Sequence, residues 1–222
     1  MSTVAEPLSE QILRENRTVF EAMVNHRFVK DIKADRLDRV TFDRYLVYEG
    51  AFVDTAISIF AYATAKAVTM YQKRKLIAIL DALANQQIAF FGRAFAERGI
   101  DPAIHDTARP EVAAFRDGML DIARKGGFLD IVAAMFAAEW MYWTWSRAAV
   151  DCTLTDPLLR EWIEMHVEPG FEAQARWLKD ILDSAGKTLG HEDRSRLSMI
   201  FGRVQTLEIA FHDAPYLEEI VK

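Results

Sequence analysis

Glu139 stands inside Met135-Phe136-Ala137-Ala138-Glu139-Trp140-Met141-Tyr142-Trp143-Thr144-Trp145, an otherwise apolar, aromatic stretch with helical character. A carboxylate in such surroundings must pair, take up a proton or face a polar pocket, because an isolated buried charge is costly. Two further acids repeat the pattern: Glu49 in Tyr45-Leu46-Val47-Tyr48-Glu49-Gly50-Ala51-Phe52-Val53, and Glu208 in Leu207-Glu208-Ile209-Ala210-Phe211. Three isolated acids on three apolar helices point to one shared site. Neighbouring carboxylates in an apolar setting split their pKa values, which suits one to give a proton and another to accept it.

Other groups gather around these acids at helical spacing. Tyr45, Glu49 and Phe52 follow four- and three-residue steps and share a face, so a ring, a carboxylate and a second ring converge. That combination suits a flat, nitrogenous ligand; the rival reading makes the rings core and Glu49 the internal ion-pair partner of an arginine. Ala138 and Tyr142 lie one turn apart, with Glu139 within reach of Tyr142. Trp140, Trp143 and Trp145 are read as core packing. Glu208 and His212, four residues apart, could share a metal or a hydrogen bond. A helical di-iron centre needs Glu-x-x-His-type spacing, and none follows Glu49 or Glu139, so no metal and no cofactor is expected. His26, His105 and His191 fall near helix ends and loops and read as caps or surface residues. Cys152 follows the aromatic helix and reads as an inert structural thiol. Phosphate-binding glycine loops and a Gly-x-Ser-x-Gly elbow are absent.

The elements that must hold these residues read as helices throughout. No segment combines β-branched alternation with hairpin turns, and only ten glycines and six prolines occur. A first pattern covers Ser9 to about Ala34 with a break near His26. The second opens at a Thr41 cap and carries Phe42, Tyr45, Leu46, Glu49, Phe52, Val53, Ala56 and Phe60. The third runs from Tyr71 to Arg98 and stops at Gly99, after a solvated start at Gln72 to Lys75. Asp101-Pro102 opens a short turn, and Pro110 begins a helix that ends at Gly126-Gly127. Phe128 to Asp151 forms the aromatic helix. Asp156-Pro157 starts a helix through Trp162 and His166, which is interrupted near Pro169-Gly170 and resumes to about Ser184. The last helix spans Glu192 to Asp213. Short connections of this kind predict a compact helical bundle forming one domain over residues 1–222.

Composition narrows the function classes. A chain of 222 residues that is 51% hydrophobic can bury a sizeable core. A formal charge of −6 and the lack of a basic stripe argue against a sequence-independent nucleic-acid binder. One cysteine excludes an intrachain disulfide framework and a multi-thiolate zinc site, which makes the cytoplasm the expected compartment. Met1 to Pro7 lacks a basic start followed by an apolar core, so no secretory leader is read there. Charges at Asp54, Lys66 and Glu139 interrupt the apolar stretches, and no membrane span is expected.

Taken in order, His26-Arg27-Phe28-Val29, Phe42-x-x-Tyr45-Leu46-x-x-Glu49, Ala114-Phe115, Ala138-x-x-x-Tyr142, Trp162-Ile163 and Leu207-Glu208-x-Ala210-Phe211-His212-Asp213-Ala214-x-Tyr216 resemble the TenA (thiaminase II) family over nearly the whole chain. The resemblance implies an all-α, haem-oxygenase-like helical bundle with a central pocket for aminopyrimidines, usually without haem or metal. Members hydrolyse an aminomethylpyrimidine to the hydroxymethylpyrimidine used in thiamin salvage, and some cleave thiamin. It further implies that Glu49 contacts the pyrimidine amine, where the family has an aspartate, and that Glu208 assists proton transfer. Tyr142 would orient the site, with Phe52 and Phe115 bordering the ring. The chain departs from the better-studied subclass by carrying Ala138 where that subclass has its cysteine nucleophile, and resembles the cysteine-lacking subclass, in which a glutamate, here Glu139, stands one residue further along. His166 replaces a frequent tyrosine and His212 a frequent tryptophan.

The sequence therefore reads as a C–N hydrolase acting on an aminomethylpyrimidine or its formyl derivative. Glu139, Glu208 and Glu49 are the catalytic candidates, and Tyr45, Phe52, Phe115, Tyr142, His166 and His212 bind substrate. The expected partners are a small-molecule pyrimidine and further copies of the chain, as dimer or tetramer, with neither nucleic acid nor membrane. Two rivals keep the fold: a metal-dependent or cofactorless oxidase, and a noncatalytic pyrimidine-binding or regulatory homologue.

Overall fold

A computed structural model describes residues 6–217; the leader reading of Met1 to Pro7 lies largely outside them, as do the ends of the expected 1–222 domain. The described residues form helices α1 (Leu8–Glu15), α2 (Arg17–Val24), α3 (Arg27–Lys33), α4 (Arg39–Lys66), α5 (Met70–Ala82), α6 (Ile88–Arg98), α7 (Pro110–Lys125), α8 (Phe128–Ala149), α9 (Pro157–Met165), α10 (Pro169–Gly186) and α11 (His191–Asp213). A π-helical turn over Leu83–Gln87 joins α5 to α6, and 3₁₀ turns occupy Pro102–Ile104 and Ala214–Tyr216. No strand occurs among the described residues. Two compact units result, one from the segments up to Asp35 and from Leu129 to Ile209, the other from Arg36–Phe128 and the segment from Ala210 onward.

In the first unit α1 packs on α10. The Ser9 amide donates to Asp183 Oδ1 at 2.8 Å, and Gly186 is required there because a Cβ would lie 2.5 Å from Leu8 Cβ. The expected Ser9–Ala34 pattern breaks at Asn16 as well as at His26. The Asn16 carboxamide donates to the Ile12 carbonyl at 2.9 Å and to the Ser198 carbonyl and hydroxyl on α11, both at 3.0 Å, which ties the break to a distant helix. His26 does cap α3, its Nδ1 accepting from the Phe28 amide at 3.2 Å. On α8 the Phe136 ring lies 5.5 Å from both Trp140 and Phe201, and Asp130 at the helix start pairs with Arg196. Only part of the tryptophan reading holds. Trp145 is buried, whereas Trp140 and Trp143 are half-buried, with the Arg147 and Arg176 guanidiniums 5.4 and 5.0 Å above the Trp143 ring.

The second unit is built on α4. Its cap is Asp38 rather than Thr41: Asp38 Oδ1 accepts from the Thr41 amide at 3.0 Å and Oδ2 from the Thr41 hydroxyl at 2.6 Å, placing Thr41 at the third helical position. Burial raises the Asp38 pKa, but these hydrogen bonds overcome it and hold the carboxyl below its ordinary value. Gly50 lets α6 approach, since a Cβ there would sit 3.0 Å from Phe95 Cζ. At the far end the Lys66 ammonium donates to the carbonyls of Ala123, Arg124 and Gly126 at 2.7, 3.2 and 2.6 Å, capping the C-terminus of α7.

The expected Tyr71–Arg98 helix starts one residue earlier, at a reciprocal cap. The Thr69 hydroxyl accepts from the Gln72 amide and the Gln72 side chain accepts from the Thr69 amide, so the solvated helix start at Gln72 to Lys75 also supplies a cap. Gly99 then ends α6 at φ 68°. By length and composition α4 is apolar enough to cross a membrane, contrary to the expectation from its charges. Over half of its apolar window, 56%, is nonetheless buried inside the protein, as in a core helix.

Candidate active site

In the second unit the four-residue step from Tyr45 to Glu49 does what the sequence predicted: the Tyr45 hydroxyl donates to Glu49 Oε1 at 3.0 Å. Tyr45 is fully buried, while Glu49 keeps partial exposure. Phe52 stacks on Phe115 with ring centroids 4.5 Å apart, and Phe115 meets Phe211 at 5.1 Å. Two rings at 4.5 Å are in contact with each other, leaving no slot for a third between them. Phe52 and Phe115 can therefore border a ligand only as one continuous wall. The buried His212 imidazole completes this side, 5.5 Å from the Tyr45 ring.

In the first unit Tyr142 stacks on His166 at 5.0 Å and lies 5.5 Å from Trp145. His166 sits at the C-cap of α9 and is fenced by Trp162 at 4.4 Å and Phe171 at 4.9 Å, both edge-on. His166 Nδ1 lies 2.7 Å from the Trp162 carbonyl oxygen. A carbonyl only accepts, so Nδ1 carries the proton and Nε2 becomes the acceptor of a neutral ring. Burial pushes the imidazole down to about 4, against the carbonyl, which pulls it up. Glu139 follows one turn before Tyr142 on α8 and is partly exposed; Glu208 on α11 is fully buried.

Two contributors escape the sequence reading. Phe211 is the hub of the second unit's ring cluster, meeting Tyr45 at 6.3 Å and Tyr48 at 6.5 Å as well as Phe115. Its place beside Glu208 in an apolar run was the available signal. Gln205, fully buried three residues before Glu208, donates from Nε2 to the Ala137 carbonyl at 2.6 Å. Nothing in its local sequence marks that long-range bond. Cys152 lies past the end of α8, half-buried, its Sγ 3.8 Å from the Ala148 carbonyl. Among the described residues no group of three or more His, Cys, Asp or Glu side chains is placed to hold a metal ion.

The described residues are all-helical, with carboxylates set among aromatic rings. The TenA homologue from P. horikoshii OT3 superposes with a TM-score of 0.85 at 20% identity, covering 95% of this chain and 99% of that one. In sequence the chain is 27% identical over 207 residues to an aminopyrimidine aminohydrolase from Halalkalibacterium halodurans, covering 91% of this chain and 92% of the relative. A second aminopyrimidine aminohydrolase, from Helicobacter pylori, is 21% identical over 94% of this chain and 98% of its own length. Residues 14–219 match the TENA/THI-4/PQQC family, and the chain belongs to it.

Proposed function

We propose that the protein hydrolyses the C–N bond of an aminomethylpyrimidine, or of its formylated derivative, in thiamin salvage. What carries the reading is the Glu49 carboxylate, held by the Tyr45 hydroxyl at 3.0 Å, in a chain related over 91% of its length to an aminohydrolase of this class. Glu49 accepts a hydrogen bond from the exocyclic amine and raises the electron density of the ring, which eases departure of the aminomethyl nitrogen. The Phe52–Phe115 wall covers an aromatic face. Glu208 and Glu139 share the proton transfers: one protonates the leaving nitrogen while the other takes a proton from the attacking water. With the aminomethyl substrate the new C–O bond replaces the C–N bond and ammonia leaves; with the formyl derivative water adds at the formyl carbon, the amide C–N bond breaks, and formate and the protonated aminomethylpyrimidine leave. Tyr142 orients the substrate, with His166 and His212 completing its surroundings. Ala138 offers no thiol, so water rather than a covalent adduct supplies the oxygen.

We further propose a cytoplasmic homo-oligomer. The lone cysteine supports the first part, and the exposed apolar side chains of Val68, Met70 and Tyr71 support the second. The decisive assay presents thiamin, aminomethylpyrimidine and formylaminomethylpyrimidine and reads ammonia or formate release. Turnover of either aminomethyl compound is the expected result. Tight pyrimidine binding with no turnover of any of the three overturns the hydrolase reading in favour of a regulatory homologue.

A further inference from the structure

Gln205 has no part in the chemistry above, yet it occupies an expensive position. Its side chain is fully buried on α11, one turn before the fully buried Glu208. The amide nitrogen reaches α8 and donates to the Ala137 carbonyl at 2.6 Å, directly before Ala138 and Glu139. That bond fixes the orientation of the amide, because only the nitrogen can donate to a carbonyl. The Gln205 Oε1 is then a buried acceptor that no donor among the described residues reaches. A methionine or leucine would fill this volume without desolvating an amide, so a half-satisfied glutamine calls for a reason beyond packing.

We infer that Gln205 is a positioning residue of the hydrolase: its amide nitrogen fixes the Ala137–Glu139 turn against the helix that carries Glu208. This follows from the bond itself. An internal helix carbonyl has a second lone pair to spare after its own ladder bond, and a side-chain donor there pins one helix to another at a single level. Gln205 thereby holds the turn that carries Glu139 without touching substrate.

The inference rests on the proposed hydrolase activity, and the test separates the two. Gln205→Met keeps the volume and removes both polar functions. The expected result is kcat down at least tenfold with KM changed less than threefold. Gln205→Glu supplies a donor to Ala137 only while protonated, so its deficit relative to wild type should shrink at least threefold from pH 8 to pH 6. Amide exchange provides a readout independent of turnover: in Gln205→Met, the peptide spanning residues 137–142 should exchange at least tenfold faster than in wild type while α4 is unchanged. A Gln205→Met protein with kcat within twofold and unchanged exchange overturns the inference and makes Gln205 a core filler. Wild-type protein that hydrolyses none of the three compounds overturns the functional reading instead. The exchange arm then decides alone, and unchanged protection of 137–142 overturns the inference.

Discussion

Glu139 lies within α8 and Cys152 just past its end, so the two candidates for reactive side chain on this segment can be separated by conservative replacements. Glu139→Gln keeps size and hydrogen bonding but ends proton exchange. Turnover should fall by about 10² or more with pyrimidine affinity little changed, as measured by steady-state kinetics beside equilibrium binding. Cys152→Ser should keep the wild-type rate. His166 gives a second prediction, on stability. Its folded-state pKa of about 4 lies below the ordinary value of 6.5, so between these values the unfolded chain binds a proton that the folded protein refuses. Stability is therefore highest above pH 6.5 and is lost as pH falls toward 4, by on the order of 3 kcal/mol from this group. Urea unfolding at pH 7, 5.5 and 4 should show the loss, and His166→Gln should flatten it. At this scale the sequence disclosed what one helix turn determines, as with Tyr45 and Glu49. It did not disclose the Gln205 bond to Ala137, which joins side chain and backbone 68 positions apart.

Helix ends carry the next tier. Asp38→Ala removes the side-chain acceptor for the Thr41 amide and hydroxyl at the start of the helix that bears Tyr45, Glu49 and Phe52, and should cost about 1 kcal/mol in denaturant unfolding. Gly202 marks a tighter constraint. A Cβ there would run into the Asn16 carboxamide, which bonds to both Ile12 and Ser198, so Gly202→Ala should destabilise by about 1–3 kcal/mol through the lost close approach. Boundaries written in local chemistry were legible: Asp101-Pro102, Pro110, Asp156-Pro157 and Gly99 all delimit elements as read. The π turn at Leu83–Gln87 was not, because Leu-Ala-Asn-Gln-Gln carries no breaker and one widened turn barely disturbs the apolar period. The break at Asn16 was hidden for another reason. Its stabilising partner, Ser198, comes from α11.

For the molecule as a whole, the proposed chemistry is carried by carboxylates and water. Hydrolysis should survive dialysis against a strong chelator with kcat unchanged within twofold. Stoichiometric bound iron, with activity lost on chelation and restored by iron, would instead place the oxidase reading first. The all-α class was readable from composition and spacing because every periodic segment favoured the helical repeat over strand alternation. The division into two compact units was not, since each unit draws on segments far apart in the chain.

Lys66 ties these scales together through its reactivity. An ammonium spread over three carbonyl oxygens at 2.6–3.2 Å has each of its protons engaged and no lone pair to offer an electrophile. Acylating reagents must wait for the corner where α4 meets the end of α7 to come apart before they can capture this nitrogen. Its labelling lag behind the exposed lysines at 33 and 75 thus becomes a clock for that opening, counted by mass spectrometry on the intact wild-type chain.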